Sequence, residues 1–168
     1  NRYLGALFDA KSGHLHPLNY TLGLGRAALA AGVRIYEHSA VIELVRGDGA
    51  SAKPRLRTLD GELEADIVVL AGNAYVHGLA PELDARVMPV GTYIGATEPI
   101  GAERMRSLIR NGIAVADINW ALDYFRPSSD HRLLFGGRAS YSTLQPLNLR
   151  ATMIARMTRV FPQLAGVK

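Results

Sequence analysis

The sequence predicts a mixed α/β chain: part of an α/β layer carrying a small β-meander, followed by an α+β lobe built on an antiparallel sheet. Three observations predict it. An apolar stripe at Leu18, Leu22, Gly25 and Leu29 has helical spacing and leads into the alternating Val33 and Ile35. The run Ile67-Val68-Val69-Leu70 is apolar on both faces, as in a strand held inside a parallel sheet. After Gly78 the chain changes to alternating segments interspersed with two helical patterns.

Taken in order, residues 3–9 predict a short strand and residues 9–16 a loop containing Lys11, Ser12 and Gly13. Pro17 suits a first helical position, where its missing N–H costs nothing, and Gly32 suits a left-handed helix end. Residues 33–36 read as a strand. Residues 41–46, 55–59 and 62–65 read as an antiparallel meander, with a turn at Gly47-Asp48-Gly49 and a two-residue hairpin turn at Asp60-Gly61. The apolar run 67–70 then ends at Ala71-Gly72-Asn73-Ala74. Residues 87–97 alternate, with Met88, Val90, Ile94 and Ala96 on one face and Tyr93 and Thr97 on the other. Residues 102–110 predict a helix. Residues 113–118, 121–126 and 132–136 predict strands, the last two joined through Pro127–His131. Residues 146–161 predict a helix with Leu149, Met153, Met157 and Val160 as its apolar stripe. The expected domains are 1–78 and 79–168, with residues 1–12 free to join the sheet of the second lobe.

Composition excludes several classes. Of 168 residues 48% are hydrophobic and 20% charged, so the chain is not disordered. The net charge of +4 is spread along the chain, not gathered into a phosphate-tracking stripe. Arg55 and Arg57 on a strand, and Arg150, Arg156 and Arg159 on a helix, read as solvated side chains, and nucleic acid is not an expected partner. The chain has no cysteine, so thiolate nucleophiles and disulfides are excluded. No stretch nears the roughly 18 apolar residues of a membrane span. The opening Asn1-Arg2-Tyr3-Leu4, without methionine, reads as the interior of a longer protein.

Four places invite a functional reading. Gly23-Leu24-Gly25-Arg26-Ala27-Ala28 fits G-x-G-x-x-A, with Glu43 twenty residues after Gly23. A dinucleotide fingerprint needs a strand before its first glycine; here a proline and helical periodicity precede it, and close helix packing explains the glycines instead. His14 and His16 flank Leu15 without a third ligand, so they do not make a metal site, and His16 suits a helix cap. Ala71-Gly72-Asn73 lies past the carboxyl end of the apolar run, where α/β sheets bind ligands, although an ordinary tight turn looks the same. Tyr124 and Arg126 share one face of a strand, and Arg138 follows Gly136-Gly137 on the next. Together they suit a carboxylate or an amine-bearing ligand, and equally a half-exposed sheet surface. No G-x-S-x-G, H-E-x-x-H or P-loop is present, which favours chemistry carried by a cofactor.

Three stretches in order carry a family resemblance. They are Gly13-His14-Leu15-His16-Pro17-Leu18; Ala65-Asp66-Ile67-Val68-Val69-Leu70-Ala71-Gly72; and Tyr124-Phe125-Arg126-Pro127 with Arg132-Leu133-Leu134-Phe135-Gly136-Gly137-Arg138. Together they resemble the FAD-dependent amine and D-amino-acid oxidase family, and within it the gamma-glutamylputrescine oxidoreductase branch. The resemblance covers nearly the whole chain. It implies a partial FAD-binding, Rossmann-like layer with its meander, and a substrate lobe whose sheet roofs the flavin. It implies FAD contacts at Val41, through the backbone near the adenine, at Ala71, Gly72 and Asn73, and at Gly136 and Gly137. Asn73 departs from the small residue usual at its position. Tyr124, Arg126 and Arg138 would line the substrate pocket, with Arg126 orienting the substrate. The implied chemistry is oxidation of an amine C–N bond by hydride transfer to FAD, in a cytoplasmic enzyme of small-molecule amines, with a homodimer left open. The family's N-terminal G-x-G-x-x-G and C-terminal glycine-rich segment are absent from this sequence. The fragment alone is therefore expected to bind FAD poorly and to be inactive.

Two other readings remain. A nicotinamide-dependent dehydrogenase would have to use Gly23 and Gly25. A non-enzymatic interaction module would use an exposed sheet to bind a partner protein.

Overall fold

A computed structural model of the chain describes residues 3–47, 52–76, 78–141 and 146–168. The predicted turn at Gly47-Asp48-Gly49 falls partly outside these residues. The chain divides into two compact units, one formed by Pro17–Pro89 and the other by Asn1–His16 with Val90–Lys168.

The Pro17–Pro89 unit opens with helix α1 (Pro17–Ala30). Its end is a Schellman motif: Gly32 is left-handed at φ 87°, its N–H bonds the Leu29 carbonyl, and the Val33 N–H bonds the Ala28 carbonyl. Strands β1 (Glu43–Val45), β2 (Arg55–Arg57) and β3 (Glu62–Glu64) form the predicted meander, antiparallel throughout. Register sets Glu43 opposite Arg57 and Arg57 opposite Glu62, and an ion pair of 2.5 Å joins Arg57 to Glu43. The hairpin closes with the Thr58 N–H on the Gly61 carbonyl at 2.8 Å. A 3-10 turn (Asn73–Tyr75) and a single helical turn, α2 (Pro81–Asp84), complete the unit.

Four expectations for this unit are not met. Residues 33–36 form no strand, because the Schellman end sends the chain into irregular turns. Residues 67–70 form no strand either, and no described strand runs parallel to them; Ile67 and Val69 are 79% and 80% exposed. A doubly apolar run records a preference for burial, but a strand exists only through ladder hydrogen bonds to neighbours. The Rossmann-like layering is accordingly not seen: both sheets are antiparallel. Finally, a Cβ built on Gly23 or Gly25 meets no atom within 4 Å, so close packing inside the described chain does not explain these glycines.

The second unit contains β4 (Gly91–Ala96), α3 (Ala102–Leu108), β5 (Val115–Ala116), β6 (Tyr124–Pro127), β7 (Leu133–Ser140) and α4 (Leu149–Val160). Its sheet has the order β4-β7-β6-β5, all antiparallel. One face carries the core. Phe125 and Phe135 stack at 5.8 Å, and Phe125 meets Phe161 edge-on at 5.0 Å. Leu133, Met105, Ile109, Met153, Met157 and Leu164 pack with them. Met153 and Met157, one helical turn apart, are buried as the stripe on α4 predicts. Each aromatic pair adds about 0.5–1.5 kcal/mol to the area it buries.

Residues 3–9 form no strand, with Leu4 and Leu7 exposed. The predicted strand 87–97 is trimmed to 91–96, since Pro89 cannot donate to a ladder. Its apolar face is the open one: Ile94 is 63% exposed, whereas Thr97 is buried and bonds the Leu133 N–H through its hydroxyl. β7 continues past residue 136 to Ser140 because a bulge absorbs one residue, Arg138, between the pairs Tyr93–Gly137 and Thr92–Ala139. Among the described residues no helix is long and apolar enough to cross a membrane.

Candidate functional site

Tyr124 and Arg126 lie two apart on β6, so they share the face opposite Phe125 and the core. Register extends that face across the sheet. Ile94, Gly136, Tyr124 and Ala116 form one row; Ala96, Leu134 and Arg126 form the next. The result is a shallow apolar floor with a phenol and a guanidinium at one side. Tyr124 and Arg126 are half-buried, and so retain access to solvent.

Gly136 and Gly137 have different tasks on the two faces. A Cβ on Gly136 would lie 2.0 Å from Tyr124 Cε2, so the ring occupies that space. A Cβ on Gly137 would lie 3.1 Å from Asp123 Oδ1 and 3.6 Å from Arg156 Cζ. There Asp123 is fully buried and paired with Arg156, whose Nε donates to Oδ1 at 2.7 Å; Arg156 Nη2 also donates to the Ala121 carbonyl at 2.7 Å. Arg156 is thus no solvated helix arginine. Its partner lies 33 residues earlier, a separation at which sequence spacing is silent.

The loop before β6 is held from inside. The Asp117 carboxylate accepts the N–H groups of Asn119 and Asp123, each at 3.0 Å, and the side chains of Asn119 and Tyr3. Burial pushes the Asp117 carboxyl up, but these hydrogen bonds outweigh it and hold it below the usual carboxylate range. The loop tip presents Ile118 and Trp120 to solvent.

His14 also reaches this face. Its Nε2 lies 2.9 Å from the Gly112 carbonyl, and its Nδ1 lies 3.4 Å from Arg126 Nη1. The sequence offers His14 as half of a histidine pair and as part of the Gly13–Leu18 stretch; Gly112 and Arg126, about a hundred residues away, give no local signal. Arg138 is left-handed at φ 60°, the bulged residue at the edge of the row.

The remaining candidates belong to the other unit. Val41 is half-buried just before β1, and Ala71 and Gly72 are exposed. Asn73 is left-handed at φ 51° and opens the 3-10 turn. Gly23 and Gly25 lie inside α1, and no strand leads into that helix. The residues described here therefore do not cradle the phosphates of a dinucleotide, which removes the structural basis of the nicotinamide reading at Gly23.

Comparison with known proteins gives the chemical class. The family model "FAD dependent oxidoreductase" matches residues 1–168. The chain is 40% identical, over its whole length, to gamma-glutamylputrescine oxidoreductase of Escherichia coli K12, and 41% identical over 99% of its length to the probable oxidoreductase OrdL of Haemophilus influenzae Rd. It spans 39% and 38% of those relatives. FAD is the cofactor of the family, and the chain belongs to the FAD-dependent oxidoreductases.

Proposed function

We propose that this chain is a substrate-facing part of a flavin amine oxidoreductase acting on a small molecule that carries both a primary or secondary amine and a carboxylate. The observation that carries this reading is the open face of the second unit's sheet, where Tyr124 and Arg126 border the apolar row of Ile94, Ala96 and Leu134. Kinship with gamma-glutamylputrescine oxidoreductase supports the amine class.

Each group has a physical task. Arg126 presents a fixed fork of N–H donors, which suits a carboxylate and fixes the substrate's direction. The apolar floor lowers the local dielectric and so favours the neutral amine, the form whose neighbouring C–H bond can be broken by hydride loss. Tyr124 covers one side of the floor and excludes water. FAD, when bound, supplies the hydride acceptor; the amine leaves as an imine, which water hydrolyses to a carbonyl compound and an amine. Ala71–Asn73 offers backbone to the cofactor, and Val41 does the same near its adenine. Gly136 and Gly137 serve the site by making room for Tyr124 and for the Asp123–Arg156 pair.

The test is Arg126→Met in the complete enzyme. Loss of an orienting contact raises KM more than it lowers kcat. Unchanged kinetics would remove Arg126 from the site.

A further inference from the structure

The geometry points to His14 as a positioning residue that aims the Arg126 guanidinium across the open sheet face, in one defined imidazole tautomer. The inference rests on Arg126 being the substrate-orienting group proposed above.

The argument is one of donors and acceptors. The Gly112 carbonyl only accepts, so the His14 Nε2 that lies 2.9 Å from it must carry the hydrogen. A guanidinium only donates, so the Nδ1 that lies 3.4 Å from Arg126 Nη1 must offer its lone pair. Both contacts are met together by the neutral imidazole with its hydrogen on Nε2. The opposite tautomer breaks both. An imidazolium would aim its second N–H at another donor.

Placement gives this contact its effect. Gly112 sits at φ 67° in the loop between α3 and β5, and Arg126 sits on β6. His14 therefore ties the N-terminal segment to two separate parts of the lobe. A long arginine has many rotamers, and its orienting value depends on how few it uses. His14 supplies the anchored acceptor that selects among them, leaving the other N–H groups of the guanidinium for a carboxylate.

The experiment has two arms. In the complete enzyme, His14→Phe removes both contacts, His14→Gln restores a donor and an acceptor, and Arg126→Met and the double variant complete the cycle. His14→Phe should raise KM roughly three- to tenfold, the span of one net hydrogen bond, with kcat little changed. His14→Gln should recover most of it, and His14→Phe should add nothing once Arg126 is Met. In the second arm, nitrogen NMR of the unsubstituted chain, labelled at histidine, should show His14 with its hydrogen on Nε2. A hydrogen on Nδ1 overturns the inference even if the variants fail to fold. A KM raised by Arg126→Met but untouched by His14→Phe overturns the role of His14 and leaves the site standing. A KM untouched by Arg126→Met sinks the site and this inference together.

Discussion

The ring of Tyr124 fills the space above the α-carbon of its register partner Gly136, so closely that a Cβ there would lie 2.0 Å from Cε2 and 2.2 Å from Cζ. Gly136→Ala therefore must displace the ring or the strand. We expect a loss of about 1–3 kcal/mol, the usual cost of overpacking, read from denaturant unfolding. Tyr124→Ala should relieve it, so the double variant should cost less than the two single ones added together. Additive losses would show that the ring does not hold that position.

Arg156→Met should be more damaging than any substitution on the exposed rim. It leaves the buried Asp123 carboxylate without its counter-ion, at a cost of about 3–5 kcal/mol. The exposed Lys53–Asp66 pair provides the comparison. Lys53→Met should change stability by less than about 1 kcal/mol. Thermal unfolding of the two variants side by side decides the point.

Asp117 makes acid stability predictable in sign. Its carboxyl is held below its unfolded value, so its contribution is present above the unfolded value and is lost as pH falls through the folded one. Stability should thus decline as pH drops below about 4. Asp117→Asn should start lower at pH 7 but show a shallower decline on acidification. An equally steep acid limb in the variant would assign the loss to other carboxylates.

Flavin retention tests the phosphate argument. Because the glycines of G-x-G-x-x-A lie within α1 and no strand precedes them, the purified chain alone should carry no bound-flavin absorbance. A yellow preparation that survives gel filtration would contradict this.

What the sequence made legible was local. The Schellman end at Gly32 and the methionine stripe of α4 depend on neighbours one helical turn away, and the hairpin at Asp60-Gly61 depends on two residues. The Tyr124–Arg126 face followed from the period of a strand. What stayed hidden depends on partners far along the chain: the Asp123–Arg156 pair, the bulge that takes up Arg138, and the reach of His14 to Gly112 and Arg126. The run 67–70 failed for the same reason. Its residues state how apolar they are, but the ladder that would make them a strand must come from elsewhere.

The loop between β5 and β6 has a practical use. Trp120, the sole indole of the chain, stands 95% exposed at its tip while Asp117 pins the loop's base. Its fluorescence is thus a built-in, label-free reporter: a blue shift on adding any molecule that settles over the segment feeding β6 would register the event at a known address.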